Sequence, residues 1–205
     1  MFKKAAIIPT GDELASGIIV DTDSPAVMAE LLRLNGNAVI LRAAPVTDSE
    51  EAIIGSIRAF AEDGCDLIAL IGGSGGGHRY SPTLGKDFTH SSMETILSGT
   101  CVSELYGKNG HMWSRLLIGY LGDALVFNLP GPYEEALATV RAFGAAYEAD
   151  ETDVERMNRA MASALEKQYG ACELWVWGKS NLIMSYKGEG AAENAAPPLF
   201  YKPCQ

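Results

Sequence analysis

From residue 72 to residue 77 the chain reads Gly-Gly-Ser-Gly-Gly-Gly, followed at once by His78 and Arg79. Bare backbone of this kind suits one chemistry. Glycine accepts positive φ and lets a ligand approach the main chain, and successive N–H groups in turn conformation point into one concavity that holds anionic oxygens. Gly72, Gly73, Ser74, Gly75, Gly76 and Gly77 are therefore candidate phosphate-binding residues. Ser74 adds a hydroxyl, His78 an imidazole, and Arg79 a guanidinium that pairs bidentately with phosphate. The stretch is not a P-loop, because no Lys-Ser/Thr closes it. Nor is it the dinucleotide fingerprint, which follows the first strand of its unit; this one follows the third.

Two further segments carry carboxylates. Thr10-Gly11-Asp12-Glu13 follows one apolar run, and Thr47-Asp48-Ser49-Glu50 follows the next. Carboxylates beside an anion nest repel its ligand unless a bound Mg²⁺ or proton-bearing ligand groups, such as pterin ring nitrogens, stand between them. Asp48 also reads as a helix cap or first-turn residue, and Asp12 with Glu13 as a solvated turn. The three histidines, His78, His90 and His111, are too scattered to suggest a metal triad. His78 adjoins the nest, His111 follows Gly-Lys-Asn-Gly, and His90 reads as a first-turn helix residue.

The elements that must position these groups alternate. Residues 5–9, 37–42 and 65–71 are largely apolar runs of strand length, the last unbroken in its apolar character, as in a parallel strand covered on both faces. Between them lie helical patterns, with Ser24 and Pro25 placed to start the first helix, Gly36 to end it, and Thr47-x-x-Glu50 reading as a capping box for the second. This β-α-β-α-β order predicts a three-layer α/β/α fold with a mostly parallel sheet, and it gathers the loops after the strands at one edge. Farther on, residues 88–99 read as a helix ending at Gly99. Residues 114–132 read as a hairpin about Gly122–Asp123, and residues 133–149 as a helix entered through Pro132. Val154, Met157, Met161 and Leu165 stripe another helix, and residues 172–190 read as two short strands before a loose tail. We expect an α/β domain over residues 1–149 and a C-terminal helix and short β extension over 150–205.

Composition narrows the setting. The 205 residues are 47% apolar and 20% charged, enough for a sizeable core, and the formal net charge is −10. Such a chain lacks the basic footprint of a nucleic-acid binder. No apolar run reaches membrane-span length, and the first residues do not form a signal segment. The four cysteines have no CxxC spacing. These features suggest a cytoplasmic protein with no membrane partner.

Four segments in order, Thr10 to Gly36, Val46 to Ile53, Asp66 to Gly77 and Val126 to Leu137, together resemble the molybdopterin-binding domain of molybdenum-cofactor biosynthesis proteins. The first is most similar to the molybdenum-insertase and competence-damage-inducible branches, with Asp21-Thr22-Asp23 at its end. The resemblance implies a pocket for molybdopterin and assembly as a trimer or dimer. It implies that residues 72–77 hold the terminal phosphate, and that Thr10, Gly11, Asp12, Glu13, Asp48, Pro130 and Gly131 line the rest. It further implies adenylyl transfer with Mg²⁺ and ATP, Asp48 and Asp12 being the catalytic carboxylates, or molybdenum insertion. Where the adenylyltransferase branch ends its glycine loop with aspartate, this chain has Tyr80 or Ser81. Its Lys108 and Gly110 lack the prolines that accompany them in the insertase branch. Two alternatives follow: a non-catalytic module that binds molybdopterin or a nucleotide, and a nucleotide pyrophosphatase of the competence-damage type.

Overall fold

The computed structural model describes residues 1–74, 88–106 and 112–168 in full, and the backbone of 169, 173–177 and 184–187. Eight strands form one sheet: β1 (Lys4–Pro9), β2 (Val39–Arg42), β3 (Leu67–Ile71), β4 (Ser98–Tyr106), β5 (Met112–Leu121), β6 (Ala124–Leu129), β7 (Glu173–Trp177) and β8 (Met184–Lys187), in the order β2-β1-β3-β6-β5-β4-β7-β8. The first four in that order run parallel. The β5–β6 hairpin, β4 and the two C-terminal strands continue the sheet antiparallel.

Period-two alternation in the apolar strands builds two cores. Ala5, Ile7, Leu67, Ala69, Leu125 and Phe127 face one side, where α2 (Asp23–Leu34), α5 (Tyr133–Ala149) and α6 (Val154–Tyr169) cover the sheet. Ala6, Ile8, Ile68, Leu70 and Val126 face the other, where Ile53 and Ile57 of α3 (Glu50–Glu62) and Met93 of α4 (Thr89–Ile96) pack. The three-layer arrangement follows directly from strands that are apolar on both faces. Phe127 stacks on Phe143 with ring centroids 4.1 Å apart. Gly144 lets α5 approach α2, since a Cβ there would meet Leu34 at 3.0 Å.

The Met stripe of α6 is core. Met157 and Met161 are fully buried, and Val154, Ala162 and Leu165 join the same cluster. Asn158, also fully buried, donates to the carbonyls of Cys101 and Leu116 and accepts from Ser103. α6 is thereby fastened to β4 and β5, and β7 adds to β4 beyond it. Cys65 and Cys101 are buried free thiols.

Several local expectations shift. Ser24 is not the cap of α2: it lies inside the helix, and Asp21 Oδ1 accepts from the N–H groups of Asp23 and Ser24. Asp21 outcompetes it because a carboxylate is the stronger acceptor, and Arg42 holds that carboxylate in place. Asn35, not Gly36, caps the C-terminus of α2. The expected Thr47 capping box is replaced by Ser49, whose Oγ accepts from Ala52 N at 3.4 Å, because Thr47 lies in the loop before the helix. α4 ends at Ile96, and Gly99 sits inside β4 at φ +60, next to an irregularity in the β4–β5 pairing. The side chains of Trp175 and Trp177 and the tail from residue 188 lie outside the described residues.

Candidate active site

The C-terminal ends of the four parallel strands converge, and hydrogen bonds between their loops define the site. At the end of β1, Thr10 N donates to Ile71 O of β3 at 2.8 Å, and Gly11 N donates to Val46 O, in the segment after β2, at 2.9 Å. Gly72 N donates to Leu129 O of β6 at 3.1 Å. Each strand end is thus tied to its neighbour where the loops leave the sheet.

Gly72 answers why the loop starts with glycine. Its φ is +98, and a Cβ would stand 2.7 Å from the carbonyl oxygen of Thr10, closer than real Cβ contacts come. Gly73 also has positive φ, at +64. Thr10 is buried; its Oγ1 donates to Ile71 O and lies 3.3 Å from Thr89 Oγ1, in the first turn of α4. Gly131, on the loop after β6 next to buried Pro130, comes within 3.8 Å of the Gly72 Cα from where its Cβ would be. Thr10, Gly11, Gly72, Gly73, Ser74, Pro130 and Gly131 are therefore brought together. Gly75, Gly76, Gly77, His78, Arg79 and Tyr80 lie outside the described residues, as do Lys108, Gly110 and His111.

The carboxylates meet in an unexpected way. Asp12 opens the short helix α1 (Asp12–Ala15), and Asp48 lies just before the cap of α3. Asp48 N donates to Asp12 Oδ1 at 3.1 Å, and Asp12 N donates to Asp48 Oδ2 at 3.4 Å. Each side chain caps the other's backbone, so the two loops are clasped reciprocally. The clasp explains why like charges are tolerated side by side. Burial, with the Asp12 and Glu13 charges, holds the Asp48 carboxyl above the usual carboxylate range, against the opposing pull of the Asp12 N–H. Asp12 and Glu13 are exposed. Among the described residues, no three His, Cys, Asp or Glu side chains are grouped to hold a metal ion.

One cluster was not visible in the sequence. Arg115 N on β5 donates to Ser74 O at 2.8 Å, fixing the last described residue of the glycine loop. The Arg115 carbonyl accepts from His90 Nε2 at 2.7 Å and from Asn128 Nδ2 at 3.0 Å, while Asn128 Oδ1 accepts from Leu117 N at 2.6 Å. The Arg115 guanidinium pairs with Glu94 of α4 and, at 3.0 Å, with Glu104 of β4. His90 is buried, not merely a first-turn residue. Burial and the nearby Arg115 charge push its pKa down to about 4, so the imidazole is neutral and carries its proton on Nε2. Two sequence signals point here in retrospect: His90 and Glu94 stand four apart on the helix after the glycine loop, and Asn128 interrupts the wholly apolar run of β6.

Residues 6–148 match the family model described as a probable molybdopterin binding domain, and the chain belongs to that family. No curated protein shows significant similarity. Among solved structures, the chain is similar to the molybdopterin biosynthesis enzyme MoaB of Thermus thermophilus (23% identity, 80% of this chain and 97% of that one, TM-score 0.52). It is also similar to the molybdopterin biosynthesis Mog protein of Mycobacterium ulcerans (24%, 79% and 99%, 0.51). A third is the tungsten cofactor synthesizing protein MoaB of Pyrococcus furiosus (15%, 77% and 97%, 0.51). At these identities the likeness is one of fold. The domain is thus of the molybdenum-cofactor-biosynthesis type, and α6 begins beyond the matched residues. Among the described residues, no helix is long and apolar enough to cross a membrane.

Proposed function

We propose that this chain binds molybdopterin at the C-terminal edge of its parallel strands and transfers an adenylyl group to the terminal phosphate. The observation that carries this reading is the seat of Gly72 against Thr10, which leaves a positive-φ, side-chain-free backbone at the point where four strand ends meet. In the proposal, Gly72, whose own N–H is held by Leu129 O, starts the loop, and the backbone N–H groups of residues 73–77 donate to the phosphate, where charge builds up in the transition state. Asp48, with its raised proton affinity, faces proton-bearing pterin nitrogens. A Mg²⁺ arriving with ATP takes one or two carboxylates and fills its shell with phosphates and water, so the Asp12–Asp48 pair suits it as a substrate ion, without a third protein ligand. Assembly as a trimer or dimer belongs to the same proposal, as does a cytoplasmic setting.

A second reading, binding without turnover, is favoured by Tyr80 in place of the loop aspartate. Isothermal titration of the full chain with molybdopterin, followed by mass spectrometry after Mg-ATP addition, decides between them. Adenylylated pterin with pyrophosphate release supports transfer, and binding without product supports the module. A chain that does not bind molybdopterin refutes both.

A further inference from the structure

We infer that His90 is a positioning residue that sets the entrance of the glycine loop by acting through Arg115. Three observations meet at Arg115. Its N–H holds Ser74 O, so the loop leaves the sheet from a point fixed on β5. Its carbonyl is held by His90 Nε2 and Asn128 Nδ2. Its guanidinium is held by Glu94, one helical turn beyond His90, so α4 grips the backbone and the side chain of one residue from a single face. The same helix touches Thr10 through Thr89. α4 therefore fixes both Thr10, against which Gly72 is seated, and the residue that holds Ser74.

The chemistry of the grip is specific. Both donors converge on one carbonyl oxygen, which requires a proton on His90 Nε2. A buried histidine with only an apolar task would be replaceable by leucine. One that orients the Arg115 carbonyl needs a donor at the Nε2 position, which glutamine supplies and leucine does not. The link is positional: the Arg115 carbonyl and N–H belong to adjacent peptide groups that share one Cα, so a movement of α4 that shifts the carbonyl also shifts the N–H that holds Ser74 O. The binding part of this inference rests on the molybdopterin reading above; the positioning part does not.

The test compares H90L and H90Q in the full chain. The Arg115 amide should exchange with solvent about tenfold faster in H90L and close to the parent rate in H90Q, relative to Gly119 in the same strand, as expected for a weakened local hydrogen bond. Molybdopterin affinity by titration should fall about tenfold in H90L and be restored to within about twofold in H90Q. Equal affinity in H90L and the parent overturns the inference, and so does H90Q behaving as H90L. If the parent does not bind molybdopterin, the proposed function fails and the amide-exchange contrast alone decides the positioning role. If H90L does not fold, the parent decides. Its Arg115 amide should be protected as strongly as the β5–β6 ladder, and an unprotected Arg115 amide overturns the inference.

Discussion

Replacing Gly72 by alanine tests whether the glycine loop begins with bare backbone for a steric reason. The added Cβ would lie 2.7 Å from the Thr10 carbonyl oxygen and 3.0 Å from Thr10 Oγ1. Thr10 has little room to retreat, because its N–H and its hydroxyl both bond to Ile71 O. An L-residue at φ +98 costs about 1–3 kcal/mol, and forcing extra volume against immobile neighbours adds about 1–3 kcal/mol. Together these predict a loss of about 2–6 kcal/mol, a large part of the ~5–15 kcal/mol that holds a typical domain. Gly131 supplies the control, since its Cβ would meet Gly72 Cα at an ordinary 3.8 Å, and G131A should stay within about 1 kcal/mol of the parent. Urea unfolding with linear extrapolation reads both variants, and unchanged m-values keep the comparison clean. The reasoning fails if G72A loses under about 1 kcal/mol, or if G131A costs as much as G72A.

His90 is neutral when folded, with a pKa of about 4 against the usual 6.5, so the unfolded chain binds the extra proton between those values. Its contribution is whole above about pH 6.5 and falls by about 3 kcal/mol as pH drops toward 4; the stability–pH curve of H90Q should lack that fall. Asp48 is shifted upward, so the folded chain keeps its proton to higher pH than the unfolded chain, and stability declines as pH rises through that window. D48N removes the charge and keeps an acceptor for Asp12 N, so chemical unfolding at pH 7 should find it equal to the parent or more stable, by under about 1 kcal/mol after solvent screening. Asn158→Leu strands two buried carbonyls and the Ser103 hydroxyl, and thermal and urea unfolding should show a loss of about 2–4 kcal/mol, more than S103A.

The elements and the edge at which they gather their loops were legible because β3 is apolar at every position and α2, α3 and α6 repeat at helical spacing. Those patterns report burial, and burial decides the layers. Caps were less legible. Ser24, Thr47 and Gly36 each have the right residue type, but another acceptor or a shift of one or two residues took the role, as Asp21 did when Arg42 on β2 braced it. The carboxylates of Asp12 and Asp48 were found, but not their exchange of backbone hydrogen bonds, which depends on how two loops from different strands meet. Arg115 was invisible for the same reason: it sits in a hairpin strand whose sequence advertises only alternation, and its partners come from α4, β4 and β6.

The strand order has a consequence for how the site comes into being. β1, β2 and β3 are neighbours in sequence and in the sheet, so their parallel pairing needs only the first third of the chain. Gly72 N, however, bonds to Leu129 O, and Ser74 O is held from β5. On a ribosome, β3 stays an open edge until β6 emerges, and the backbone that faces the ligand has no fixed shape until then. Contacts so distant in sequence form slowly and leave a buried, wholly apolar strand exposed in the meantime. The geometry that makes the loop a binding site is thus also the step at which a nascent chain is most open to pairing with the wrong edge.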